Sequence, residues 1–210
     1  LRSAASTMAG EDAGLRCARD VAPAELPPPP EPTCREPGES FAAGTNQRPR
    51  LVCIPGGSFT MGSPPEEEGH SDDELQHPAS VDSFMMCETE VTQAQYQAVM
   101  GENPSDCKVG CAGDIAVQNV SWDDACAYME KLTERENEAR AREGLPALTP
   151  CSEKREGTWA WKDRGRTGFR LPTESEWEYA VRAGIGTAYF FEKEADAKLE
   201  EYGWFTSNSE

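Results

Sequence analysis

The stretch FRLPTESEWEYAVRAG, Phe169 to Gly184, decides how the chain is read. Thr173 followed by Glu176 is a capping box, in which the hydroxyl meets the N3 amide and the N3 carboxylate reaches back to the cap amide. Glu174 and Glu176 lie at the positive end of the helix that opens there, Arg182 lies near its negative end, and Gly184 stops it. Trp177, Ala180 and Val181 fall on one face, which is expected to pack against strands. The segment therefore predicts an anchoring helix in an α+β core. Nothing in its spacing is catalytic.

Two more helices carry the same device. Thr92 with Gln95 opens TQAQYQAVMG, and Gly101 stops it. Ser121 with Asp124 opens SWDDACAYMEKLTERENEARAREG, with Gly144 as its stop. In the latter, Trp122, Ala125, Cys126, Met129 and Leu132 recur at helical spacing and form a face for burial. Beyond Thr133 the sequence is almost wholly charged, which predicts solvated last turns. Upstream, LVCI at 51–54 and SFTM at 58–61 flank Pro55-Gly56-Gly57, which predicts two short strands joined by a tight turn. A further strand is expected near Val81 to Met86.

Composition sets the limits around these elements. The chain has 210 residues, of which one main domain of roughly 160 is expected from domain-size statistics. Residues 21–50 include four consecutive prolines and read as an extended linker, with residues 1–20 as a tail before it and the body from residue 51 to 210. No apolar run approaches the roughly 20 residues of a membrane span. The net charge of −18, from 38 acidic against 20 basic side chains, would repel a phosphate backbone and excludes nucleic acid as a partner. Cations or basic partners suit that charge, and plain solvation accounts for it as well.

Eight cysteines without a C-x-x-C pair predict disulfides in an oxidising compartment, extracellular or in the cell envelope (periplasmic). Cys107 and Cys111 could close a small loop, and Cys126 reads as a buried thiol on a helix. His70 and His77 stand among carboxylates in PPEEEGHSDDELQHP, but their spacing matches no zinc pattern and the segment lacks apolar anchors.

Four motifs in order carry a family resemblance: CIPGGSFTMGS at 53–63, ETEVTQAQY at 88–96, NVSWDDACAYMEKL at 119–132, and FRLPTESEWEYAVRAG at 169–184. Together they resemble the formylglycine-generating enzymes, or sulfatase-modifying factors, over roughly residues 51–209. The resemblance implies an α+β, variant C-type lectin-like fold with much irregular structure. Residues 51–210 are expected to be the N-terminal part of such a domain, hence an incomplete one. GLRCARD at 14–20 resembles the GFRCA-type strand that closes domains of this family, so the tail is expected to end a preceding copy in a tandem protein. An ordinary disordered extension is the other reading of that tail.

The activity implied by the resemblance is oxidation of a cysteine in a Cys-x-Pro-x-Arg motif of a sulfatase to formylglycine. It uses molecular oxygen and copper held by two cysteines, whose soft thiolates suit Cu(I). A sulfatase-type protein or peptide would be the partner. The family places its cysteine pair past the position of Glu210, so no residue of this chain is expected to be catalytic and the chain alone is expected to be inactive. Ala116 stands where the family usually has proline, and Phe190-Phe191-Glu192 where it has a Pro-Trp-Gly turn. YGWFTSNS resembles the start of a calcium-binding region, which makes Asn208 and Ser209 candidates for a partial calcium site. Glu90 stands where the family also has an acid, a surface or groove carboxylate whose plainer role is a charge at a helix start. The alternative to the enzyme is a noncatalytic C-type-lectin-like binding or scaffold module, because function lives in sites rather than folds.

Overall fold

Strands β1 (Ser40–Phe41), β2 (Leu51–Ile54) and β5 (Phe84–Cys87) form an antiparallel sheet in the order β1-β2-β5, with Leu51 opposite Cys87 and Ile54 opposite Phe84. Strands β3 (Gly57–Met61) and β4 (His77–Val81) make a separate antiparallel ladder, with Gly57 opposite Val81. The computed structural model describes residues 34, 40–41, 48–67, 69–106, 112–162 and 165–187. The chain divides into two units, Leu1–Pro30 and Glu31–Glu210, and every described residue lies in the second.

LVCI and SFTM are both strands, but they do not form the hairpin that the sequence predicts. Each pairs with a later strand instead. The turn between them explains the switch, because a Cβ added to Gly56 would lie 2.8 Å from both Val81 O and Ser83 N. The Pro55-Gly56 turn therefore stacks on the turn at Asp82–Ser83, and both turns carry the chain from one sheet to the other. The single strand expected near Val81–Met86 is accordingly the end of β4 and the start of β5. Apolar run lengths identify strands but leave their partners undetermined.

Within the stretch expected as a linker, three points are joined to the body. Cys34 is disulfide-bonded to Cys53, Ser40–Phe41 extends the β2 edge, and Arg48 donates to Glu136 at 2.8 Å. A strand of two residues leaves no periodic signal in a proline-rich segment.

All three predicted capping boxes are formed. They open α1 (Gln93–Met100) at Thr92, α2 (Trp122–Arg142) at Ser121 and α3 (Glu174–Arg182) at Thr173. Gly101, with φ of 94°, ends α1, and Gly144, with φ of 71°, follows α2. Helix α3 ends one residue earlier than expected, because Ala183 itself takes the left-handed cap conformation before Gly184.

The core lies between α1 and α2, where Tyr96, Val99, Tyr128 and Leu132 are buried against one another. The rings of Tyr96 and Tyr128 stack with centroids 5.3 Å apart. Cys126 and Leu132 are buried as the helical spacing predicts, but Trp122 is 56% exposed. It occupies the first turn of α2, beyond the end of the packed face. The charged half of α2 is not wholly solvated either. Asn137 grips the backbone of Leu148 on both its N–H and its carbonyl, and Glu136 pairs with Arg48.

Helix α3 packs on the β3–β4 ladder through a different face from the one its hydrophobic pattern suggests. Tyr179 meets Phe59 with ring centroids 5.3 Å apart, Ser175 donates to the Met61 sulfur, and Glu178 accepts from the Gly62 N–H at 2.9 Å. Arg182 donates to Gly62 O and to Glu178. Trp177 and Val181 remain exposed. The backbone groups freed at Gly62, with φ of 92°, favour polar partners, so the polar face of α3 turns inward.

Candidate functional site

The hairpin of β6 (Ser152–Arg155) and β7 (Thr158–Trp161) reverses at Glu156-Gly157, both at positive φ, and sets Ser152 opposite Trp161. Next to it the chain returns as a strap from Thr167 to Thr173. Thr149 and Thr167 exchange backbone-to-hydroxyl bonds of 3.0 and 3.1 Å, and Gly168 N–H donates to Thr149 O at 2.9 Å. Phe169 N–H donates to the buried Thr133 hydroxyl at 2.9 Å, and Cys151 Sγ donates to Gly168 O at 3.1 Å. These bonds fix the strap against α2 and deliver Arg170 to a defined place.

Between the hairpin, the strap and the start of α2 lies a cleft of about 150 Å³. Trp122 and Trp161 wall it, Cys126 and Met129 form part of its lining, and Leu171, Pro172 and Thr173 close another side. Trp161 is 45% exposed. The Arg170 guanidinium lies 5.5 Å from the Trp161 ring centroid, a cation–π arrangement. Its other anchor is Glu176, which accepts from both Nη atoms at 2.6 Å. Burial alone would raise the Glu176 carboxyl, but the hydrogen bonds from Arg170 and from the Thr173 N–H hold it below the usual carboxylate range. The hydrogen bond to Glu176 raises Arg170 further above its ordinary value. Arg170 is thus a permanent, positioned cation in an otherwise largely apolar cleft.

The cleft was not legible as a site in the sequence. Helical spacing places Trp122 on a face for burial, and no motif points to Trp161. The one available signal was Arg170 six residues before the capping Glu176. Of the residues singled out by resemblance, Glu90 is exposed just before α1, and the Thr89 hydroxyl donates to its backbone carbonyl. It does not line the cleft. Asn208 and Ser209 lie outside the described residues, as do Cys107, Cys111, the tail at 1–20 and Phe190-Phe191-Glu192.

The acidic loop is built around Ser63 rather than around its histidines. Ser63 Oγ donates to Glu74 at 2.8 Å and lies 2.7 Å from His70 Nδ1, while His77 Nδ1 bonds to Leu75 O. Among the described residues no three His, Cys, Asp or Glu side chains are grouped to hold a metal ion.

A copper site of the family type needs two thiolates, and the described cysteines do not fit one. Cys53 is consumed in the disulfide with Cys34. Burial pushes the Cys87 thiol up, and burial with the nearby Asp123 charge does the same for Cys126, so neither is an activated thiolate in the absence of a metal. Cys151 donates its S–H to Gly168 O.

The small sheets, the three boxed helices and the strap define a mixed α/β module of the formylglycine-generating-enzyme type. Residues 37–209 match the family described as sulfatase-modifying factor enzyme 1-like domain, and the chain belongs to that family. It is 28% identical over 174 residues to the chaperone protein LppX of Paenibacillus barcinonensis, covering 81% of this chain and 58% of that protein. The solved structure of Treponema denticola variable protein 1 is similar at a TM-score of 0.63 and 27% identity, covering 81% of this chain and 65% of that one. PvdO from Pseudomonas aeruginosa shares the fold at a TM-score of 0.54 and 20% identity, covering 77% and 57%. The chain thus spans about three fifths of the length of these relatives.

Proposed function

We propose that the chain is a polypeptide-binding module of a sulfatase-modifying-factor-like protein. The observation that carries this reading is the open cleft between Trp122 and Trp161, with a cation fixed beside it by Glu176. Exposed indoles at the wall of a concave site supply large contact area at little entropic cost. The parent activity that accompanies the family resemblance is copper-dependent oxidation of a sulfatase cysteine to formylglycine, with a sulfatase-type protein or peptide as partner. No step of that reaction is assigned to the described thiols, because they do not fit the copper pair. Calcium near Asn208 and Ser209 rests on the resemblance alone.

A noncatalytic binding or scaffold module is the second reading. One relative is named a chaperone, which supports polypeptide handling without chemistry. The Cys34–Cys53 disulfide supports an extracellular or cell-envelope setting, and no described helix is long and apolar enough to cross a membrane.

A labelled Cys-x-Pro-x-Arg peptide separates the readings. Titration of the chain with that peptide reports binding, and mass spectrometry after incubation with copper and oxygen reports formylglycine. Binding without conversion supports the module. Conversion would instead place the oxidation in this chain, and no binding of this peptide would reject a sulfatase-type segment as the partner.

A further inference from the structure

We infer that the cleft between Trp122 and Trp161 takes a proline-rich segment in the polyproline II conformation. This rests on the polypeptide-binding reading and narrows it to one ligand class.

The argument is a count of donors and acceptors. Of the five Arg170 N–H groups, three are directed to Leu171 O and the two Glu176 oxygens, which leaves two without a partner among the described residues. Trp122, Trp161 and Ser152 line the cleft, and neither indole N–H makes a hydrogen bond to a described residue. An indole N–H or a guanidinium can only donate. The acceptors in the lining are few: Leu171 O already receives one bond from Arg170, and the Thr173 hydroxyl already receives one from the Glu176 N–H, which leaves the Ser152 hydroxyl and the remaining lone pairs of those two. The cleft therefore offers more unpartnered donors than open acceptors, and apart from its polar groups it is walled by indole rings, Cys126, Met129, Leu171 and Pro172.

A polyproline II segment is the complement of such a surface. It has no internal hydrogen bonds, so its carbonyls are all free acceptors, and each proline lacks the N–H that would need an acceptor in return. Its rings pack on aromatic walls, and its stiffness lowers the ordering cost of binding. An ordinary extended peptide would add one N–H per residue to a cleft whose own donors already outnumber its acceptors. A neutral proline-rich ligand also meets no repulsion from a chain of net charge −18.

The test is fluorescence polarisation with a labelled oligoproline, a Gly-Ser peptide of equal length, the Cys-x-Pro-x-Arg peptide and a neutral oligosaccharide. Oligoproline binding is expected, with the Gly-Ser peptide and the sugar silent. Trp122→Ala should weaken that binding about tenfold or more, and Trp122→Phe should recover part of it. Trp122 lies exposed in the first helical turn, and circular dichroism checks that its variants stay folded. Ser152→Ala and Trp161→Ala provide a second pair of variants from the opposite wall. Binding of the Cys-x-Pro-x-Arg peptide but not of oligoproline overturns this inference and leaves the broader reading standing. Binding of neither overturns both. Oligoproline binding that is unchanged in Trp122→Ala and Trp161→Ala, or binding of the sugar alone, overturns the assignment to this cleft.

Discussion

Arg170 and Glu176 meet at two points, Nη1 to Oε2 and Nη2 to Oε1, each at 2.6 Å. The same carboxylate accepts from the Thr173 N–H at 2.8 Å as the return half of the α3 capping box. One side chain thus starts a helix and holds the guanidinium against Trp161. Planar two-point pairing fixes orientation as well as distance, which a lysine at position 170 could not do. The helix terminus and the cleft wall are for this reason one mechanical unit.

That unit gives the chain an acid-sensitive contribution to stability. The folded carboxyl of Glu176 is lowered, because the hydrogen bonds from Arg170 and Thr173 outweigh the opposing effect of burial. Its stabilisation is therefore fully present above the unfolded value of about 4.3 and is lost as pH falls through the lower folded value. Glu176→Gln is expected to cost about 2 kcal/mol at neutral pH, where a buried charge-assisted pair is broken. The difference from the parent chain should shrink as pH falls to about 3. Urea midpoints at both pH values check this, and a gap that stays constant between them would show that the carboxylate charge is not what stabilises.

The Cys34–Cys53 bridge anchors the proline-rich approach to the body. It spans 19 residues and ends on a cysteine that is fully buried in β2. Closing a loop of this size constrains the unfolded chain by about 3 kcal/mol. Cys34→Ser should therefore lower the thermal midpoint measurably, and a reducing agent should lower the parent's midpoint to the same value. A parent midpoint indifferent to reductant would count against the bridge as a stabilising element.

The helices were readable in the sequence because a capping box is local. Thr92, Ser121 and Thr173 each announce themselves within four residues, and each box is formed. The ordered motifs likewise identified the family and the mixed α/β fold. Strand partners were not readable, because the choice between pairing β2 with β3 or with β5 is decided by the packing of Gly56 on the Asp82–Ser83 turn, nearly thirty residues away in sequence by a count of about 27. The packing face of α3 differs from the one its hydrophobic spacing predicts for a related reason. Hydrophobic spacing favours Trp177 and Val181, whereas the backbone groups at Gly62 recruit Glu178 and Arg182. The cleft is not legible in the sequence because its walls come from α2, the β6–β7 hairpin and the strap, three segments whose meeting no local pattern encodes.

Tyr128 presents a different kind of cost. Its ring stacks on Tyr96 and is 2% exposed, while its hydroxyl has no hydrogen-bond partner among the described residues. Burial pushes the pKa of its phenol well above the ordinary value, so the group stays neutral. A buried unpaired hydroxyl carries a desolvation penalty without a compensating bond. Tyr128→Phe keeps the stack and removes the penalty, and is expected to leave stability unchanged or raise it by about 1 kcal/mol. Chemical denaturation decides the sign. A loss larger than about 1 kcal/mol would show that the hydroxyl finds a partner in solution.

Gly168 connects the core to the cleft. A Cβ at that position would lie 2.8 Å from Thr149 O and 3.0 Å from Thr133 Cγ2. Neither neighbour can retreat cheaply. Thr149 O accepts the Gly168 N–H, and the Thr133 hydroxyl accepts from Phe169 N–H while donating to Met129 O at 2.8 Å. Gly168→Ala is therefore expected to destabilise by about 1–3 kcal/mol, the usual range for overpacking a tight site. Because Arg170 follows two residues later, the displaced strap should also loosen the guanidinium from Trp161, which indole fluorescence would register in the folded baseline before any unfolding. Thr133→Ser removes the Cγ2 methyl but keeps the hydroxyl, and the double variant should recover part of the lost stability. No recovery in that pair would mean that Thr149 O alone sets the clash, and an unchanged single variant would mean that the strap is free to move.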